Sequence, residues 1–180
     1  MKLKFVVLLG VVLILAACFS GGVLEVDELV PYINTTFGFR IEYPSNWQVL
    51  EDPSSIVGDQ PDQLHAVAFL PDASAGTLFV VLIQDLDAPQ TLDEFGAAQM
   101  DGVRRNADGA VYAALRTIDI GGIEALTTQT TVEEDGQRLM QQVVFVVNDM
   151  HGYGVTMSAP SDSPLKVVLD DMLASLGLLQ

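Results

Sequence analysis

The chain has 180 residues, 24 acidic against eight basic, a formal charge of −16 and one cysteine. That length allows one domain with a substantial core. The charge repels a phosphate backbone and argues against nucleic-acid binding, and a lone cysteine allows no internal disulfide.

Met1, Lys2, Leu3 and Lys4 give a short basic start, and the 13 residues Phe5–Ala17 are apolar. A secretory signal has this basic end, an apolar core of about 7–15 residues and small residues at the cut. The run closes on Leu15-Ala16-Ala17-Cys18, which resembles the lipobox of bacterial lipoproteins. The resemblance implies cleavage after Ala17 and acylation of Cys18 as the new first residue, with a diacylglyceryl group and palmitate-type chains. Two chains hold a protein on a bilayer where one holds only reversibly. The alternative reading is an uncleaved anchor, since Phe5–Leu24 is interrupted only by Ser20, Gly21 and Gly22. Both readings tether the chain to the cell membrane on its extracytoplasmic face.

Cleavage removes Lys2 and Lys4, leaving six basic residues against 24 acidic ones, a formal charge of −18. Residues 18–30 then read as an acidic, flexible spacer, with Ser20-Gly21-Gly22 for mobility and Glu25, Asp27 and Glu28 for solvation. Residues 31–180 are expected to form one domain.

Phe37, Phe39, Ile41 and Tyr43 alternate with Gly38, Arg40 and Glu42. That period of two predicts a strand with one buried face, ended by Pro44. Residues 51–63 are a polar loop with two prolines. Leu64–Leu70 and Thr77–Gln84 are apolar strands joined by a turn-rich PDASAG. Thr91 with Glu94 three residues on predicts a capping box, and Leu92, Phe95, Gln99 or Met100, and Val103 give the helix a moderate apolar stripe. Gly96 and Gly102 each weaken it by about 1 kcal/mol relative to alanine. Asp108-Gly109 is expected to stop it.

Four strands follow, Val111–Ile120, Ile123–Glu133, Arg138–Asn148 and Tyr153–Ala159, separated by Gly121-Gly122, Asp135-Gly136 and a longer break at residues 149–152. Glycine pairs and Asp-Gly between strands are hairpin signals, so an antiparallel meander is expected. Val143–Val147 is apolar on both faces and is expected at the centre of the sheet. Ser163 and Pro164 open a last helix, whose Leu165, Val168, Leu169, Met172, Leu173 and Leu176 keep the i, i+3, i+4 pattern until Gly177. The expected class is α+β, a twisted antiparallel sheet flanked by helices.

The run Phe-Gly-Phe-Arg-Ile-Glu-Tyr-Pro-Ser-Asn-Trp at 37–47 resembles the opening of PsbP-like domains. The mid-chain helix, the paired strands with Gly152-Tyr153 and the terminal Leu173-Ala174-Ser175-Leu176 agree in order, so the resemblance spans residues 31–179. It implies an α/β/α sandwich around an antiparallel sheet. Members of that family dock to photosystem II, bind a small GTPase, or are bacterial lipoproteins of unknown role. The photosystem-binding members use basic N-terminal segments, whereas the segment here is acidic. No family site maps residue by residue onto this chain.

Chemistry is sparse. There is no Gly-x-Ser-x-Gly elbow, and Cys18 is assigned to the lipid. His65 and His151 are the only histidines. Carboxylates cluster at Asp59 with Asp62, Asp85 with Asp87, Glu133-Glu134-Asp135 and Asp170-Asp171, without the spacing of a calcium loop. Asp85 and Asp87 are the pair best placed for a weak cation site. No zinc spacing or phosphate loop occurs, and no cofactor or metal is expected. Asn34-Thr35-Thr36 has the form of a glycosylation sequon, which has no bearing on a bacterial lipoprotein. The expected function is a non-catalytic domain, not an enzyme, that binds an envelope protein partner through loops or the open face of a strand. The alternative is a lipoprotein that binds a small ligand or cation in a pocket between sheet and helix.

Overall fold

The computed structural model describes residues 26–51, 64–71, 76–106, 110–134 and 136–179. Ala17 and Cys18, with the whole signal and most of the spacer, lie outside them, as do Asp59 and Asp62.

Among the described residues, ten strands and two helices build the domain. In chain order they are β1 (Leu29–Asn34), β2 (Phe39–Pro44), β3 (Trp47–Leu50), β4 (Leu64–Pro71), β5 (Leu78–Asp85), α1 (Leu92–Asn106), β6 (Arg116–Ile120), β7 (Ile123–Glu134), β8 (Gln137–Asn148), β9 (His151–Pro160), α2 (Leu165–Ala174) and β10 (Gly177–Leu178). Seven strands form one antiparallel sheet in the order β3-β4-β5-β9-β8-β7-β6, and three form a small sheet, β1-β2-β10. The class is α+β, as the order of apolar patterns predicts.

The alternation along each strand sorts the side chains into two layers. Val144, Val146, Tyr153, Val155, Met157, Phe79, Val81, Val67 and Phe69 face the small sheet and α2, whose Phe39, Ile41, Leu165, Leu169 and Met172 complete the main core. The residues between them face the other way, where Phe95, Met100 and Val103 of α1 pack on Leu126, Val143 and Phe145. A third cluster, Ala66, Ala68, Leu78, Val80 and Leu82, lies beside it on β4 and β5. A sheet covered on both faces needs strands that are apolar throughout, which is why β5 and β9 are buried along nearly their whole length.

The expected elements form with local shifts. β1 opens at Leu29, so the last two residues of the expected spacer belong to the sheet. The alternating run begins its ladder at Phe39 rather than Phe37, because Gly38 takes a left-handed turn (φ 64°) and the Phe37 N–H bonds to Asn34 Oδ1 at 3.0 Å. Residues 110–115 are not a strand; they run beside β7, held by Ala113 N–H on the Gln129 carbonyl and Thr128 Oγ1 on the Ala113 carbonyl. The break between β8 and β9 is the two residues Asp149-Met150, with Asp149 at φ 50°, so His151 and Gly152 belong to the strand. The central strand is β9, with β8 beside it. The last helix ends at Ala174, three residues short of Gly177, because Ser175 turns back: its hydroxyl accepts the Glu42 N–H at 2.8 Å, and Gly177–Leu178 pairs with β2.

The capping box forms, with Thr91 N–H and Oγ1 both donating to Glu94 Oε2 at 2.9 and 2.8 Å. These bonds hold the Glu94 carboxyl below its usual range. Gly96 lets Leu126 approach, its Cδ1 lying 2.7 Å from where a Cβ would stand. The helix penalty of that glycine is thus offset by packing. Gly152 plays the same part on β9, where the ring of Phe95 fills the space a Cβ would take. At Gly154 the only described atom within 4 Å of such a Cβ is Leu82 Cβ, at 3.9 Å. Gly152→Ala should therefore destabilise the domain by about 1–3 kcal/mol through overpacking. Gly154→Ala should leave stability unchanged or raise it by up to about 1 kcal/mol. Denaturant unfolding of both variants reads the contrast, and equal losses would contradict it.

Candidate functional site

Two places hold the groups that bear on function. The first is a corner where three neighbouring strands meet. His65 lies at the start of β4, Asp85 ends β5 and His151 opens β9, where Asp85 and His151 are register partners. All three have the parity of the main-core residues, so they cap that core at one end. His151 Nε2 stands 3.3 Å from Asp85 Oδ1, and His65 Nε2 stands 3.7 Å from Oδ2. Both histidines of the chain thus share one carboxylate.

The turn between β1 and β2 roofs this corner. The ring of Phe37 stacks on His65, with centroids 4.5 Å apart and planes 30° apart. Tyr153 Oη donates to the Phe37 carbonyl at 2.8 Å. Burial pushes the Tyr153 phenol above its ordinary value. Side-chain exposure is 37% for His65, 35% for His151 and 49% for Asp85, so solvent screens the pairs and each contributes ~0–1 kcal/mol.

Two imidazoles on one carboxylate can take up protons and orient one another, but acyl transfer needs a nucleophile beside the base. Among the described residues no hydroxyl is hydrogen-bonded to either imidazole, and no group of His, Cys, Asp and Glu side chains is arranged to hold a metal ion. Asp85 turns to the histidines instead of pairing with Asp87, which is exposed. The expected weak cation site at Asp85 and Asp87 thus has the Asp85 carboxylate already engaged by His65 and His151. Asp170 and Asp171 are solvated on α2 and Glu133 is exposed on β7. His65 and His151 stand far apart in the sequence, and only the strand register brings them together.

The second place is the outer face of β1. Leu29, Pro31 and Ile33 alternate with the inward Val30, Tyr32 and Asn34, and are exposed. Ile33 is 59% exposed and Leu29 37%, with Val26 at 39% just ahead of the strand. These are three of the six exposed large hydrophobic residues among those described. Arg40 and Glu42 lie across from Ile33 and Pro31 on β2. β1 is an edge strand, and Pro31 lacks the N–H that would help another strand add to it. Beneath this row Tyr32 packs edge-on against Phe69, with centroids 5.4 Å apart, while its hydroxyl donates to Glu51 Oε1 at 2.8 Å and accepts from Asn34 Nδ2 at 3.1 Å. Burial, reinforced by the Glu51 carboxylate, pushes the phenol up to about 12.

Among the described residues no helix is long and apolar enough to cross a membrane. No family model and no curated protein matches the sequence. Solved structures do resemble the fold. The solution structure of cyanobacterial PsbP from Synechocystis sp. PCC 6803 superposes with a TM-score of 0.60 at 19% identity, covering 91% of this chain and 98% of that one. A protein from Bacteroides thetaiotaomicron superposes with a TM-score of 0.57 at 12% identity over 83% of this chain, which spans about half (48%) of that longer protein. LpqN of Mycobacterium tuberculosis, described as involved in cell envelope biogenesis, gives 0.45 at 12% identity, covering 85% and 91% of the two chains. At these identities the comparisons establish the fold, which is that of cyanobacterial PsbP.

The raised Tyr32 phenol stabilises the folded state fully below about pH 10, the ordinary tyrosine value. That contribution is lost as pH rises through about 12. Ultraviolet titration should show a tyrosine step near pH 12, and that step should vanish in Tyr32→Phe; a titration unchanged by the substitution would contradict the placement of the phenol.

Proposed function

We propose that this chain is a lipid-anchored protein of the cell envelope that works outside the cytoplasm by binding a partner protein, without catalysis. The tether rests on the grammar of residues 1–18, with Cys18 as the acylated residue and cleavage after Ala17. The observation that carries the binding reading is the exposed row Val26, Leu29, Pro31 and Ile33.

Soluble domains leave large apolar side chains in the open singly, and clusters of them mark contact surfaces. Here the cluster lies next to the tether. Residues 19–28 are the only link between Cys18 and β1, and ten extended residues reach at most about 35 Å. A partner bound in or on the same membrane is therefore within range of this face. Beside the row stand Asp27, Glu28 and Glu42, all exposed, with Arg40 the one cation among the described residues of β1 and β2. A partner that fits has an apolar patch rimmed by basic residues, which also matches the overall acidity. The same acidity repels anionic headgroups, so the row is not a membrane-insertion surface.

A photocrosslinking residue at Ile33 of the full chain, in native membranes, tests this reading, with the same residue at Val167 on α2 as the control. The Ile33 probe should give a discrete adduct, reduced at least tenfold by Leu29→Asp and weakened by Cys18→Ala. The same adducts from both positions, or an Ile33 adduct indifferent to Leu29→Asp, would contradict it.

A further inference from the structure

Ile33 is the most exposed residue of the β1 row, at 59%, and two features of its surroundings keep it so. The first lies on the strand itself. The ring of Pro31 fixes its own φ. Tyr32 is pinned at both ends, its ring edge-on to Phe69 and its hydroxyl donating to Glu51 Oε1. Asn34 is pinned twice as well. Its Oδ1 accepts the Phe37 N–H at 3.0 Å, and its Nδ2 donates to Tyr32 Oη at 3.1 Å. Ile33 therefore stands between two residues whose side chains are tied to each other and, through Phe37, to the turn. The turn is held in its own right. Tyr153 Oη donates to the Phe37 carbonyl and the Leu179 N–H to the Gly38 carbonyl, both at 2.8 Å.

The second feature lies across the sheet. Arg40 is the register partner of Ile33 on β2, and Gly177 of β10 is the partner of Arg40 on its other side. A Cβ on Gly177 would stand 2.7 Å from Arg40 Nε and 3.2 Å from its Cγ. The arginine thus lies over the bare glycine, turned away from β1. Long basic side chains commonly cover apolar neighbours with their stems, and here that stem covers the far strand and leaves Ile33 open.

A β-branched side chain is also stiff at χ1. A stiff apolar residue on a clamped backbone loses little freedom when it is bound, and a few such residues carry most of the affinity of an interface. We infer that Ile33 is the anchor of the docking row, seated in an apolar socket of the partner, and that Asn34 and Tyr32 are positioning residues that hold it ready. The inference rests on the partner-binding reading of this row and adds which residue leads and what sets its pose. Val26 precedes the strand, outside the network, and contributes little.

The test places an aliphatic diazirine residue, which keeps the row apolar, at Leu29 of the full chain in native membranes and reads the yield of the partner adduct. Ile33→Ala should cut the yield at least tenfold and Val26→Ala less than twofold. Asn34→Ala and Tyr32→Phe should each cut it at least threefold. Their double variant should lose no more than the larger single loss, because both break one network. Thr91→Ala removes the α1 cap, a comparable cost in stability, but stands outside the network, so its yield should stay within twofold of the parent. Equal losses from Ile33→Ala and Val26→Ala, a yield indifferent to Asn34→Ala, additive losses in the double variant, or a loss in Thr91→Ala as large as theirs would each overturn the inference and leave the partner reading in place. A parent chain that gives no Leu29 adduct would instead remove the partner reading and the inference with it. If the double variant does not fold, the two single variants against Thr91→Ala decide.

Discussion

Strand β9 keeps two unlike surfaces apart, and the rest of the domain is arranged around that division. Tyr153, Val155, Met157 and Ala159 enter the main core, while Gly152, Gly154, Thr156 and Ser158 face the side of α1. A one-residue slip would exchange the two sets and place glycines in the core. Fixing the register is therefore worth more than any single contact on the strand. Full pairing with β5 and β8 does most of this. The Tyr153 hydroxyl adds a distant tie, holding the Phe37 carbonyl 116 residues away in sequence. Each fully buried aromatic or aliphatic side chain along the core contributes about 1.5–3 kcal/mol, against a net stability of about 5–15 kcal/mol for a domain. Loss of the β9 register would cost more than that margin.

The same division organises the polar groups. Where β9 begins, its core-facing parity brings His151 beside Asp85 and within one strand of His65, under the turn that Tyr153 holds. Where β9 ends, its other parity buries two hydroxyls without partners. The small sheet sits on the core side and shields Tyr32, but its own outer face is left apolar and open on β1. The histidine pair and the exposed row thus involve different strands, β4, β5 and β9 for the one and β1 for the other.

Much of this was legible in the sequence because local signals and tertiary needs agree. The Thr91–Glu94 box, the Gly121-Gly122 turn with both residues at positive φ, and the stripe of α2 each encode their element within a few residues. What stayed hidden depends on distant partners. β1 carries Pro31 and only six residues, and it is a strand because β2 pairs with it. Residues 110–115 are apolar enough for a strand, but side chains of β7 take their carbonyls and leave them irregular. Histidine at 65 and at 151 read as isolated residues, since only the pairing of β4, β5 and β9 makes them neighbours. Gly96 and Gly152 read as helix and loop breakers, whereas each makes room for a large side chain from across the layer. The alternation of β9 was visible, but that its small side would be buried, with hydroxyls unpaired, follows from the strand's central place.

The functional account turns on placement. Under the proposed function, cleavage after Ala17 leaves a chain of formal charge −18, whose apolar row on β1 meets a membrane-bound partner only if the chain is held at that membrane. Intact-mass and N-terminal peptide spectrometry of the protein from its native membrane measures this directly. The account predicts a chain that starts at Cys18 with diacylglyceryl and acyl mass attached. A mature chain that begins at Met1, or an unmodified thiol at Cys18, would contradict it.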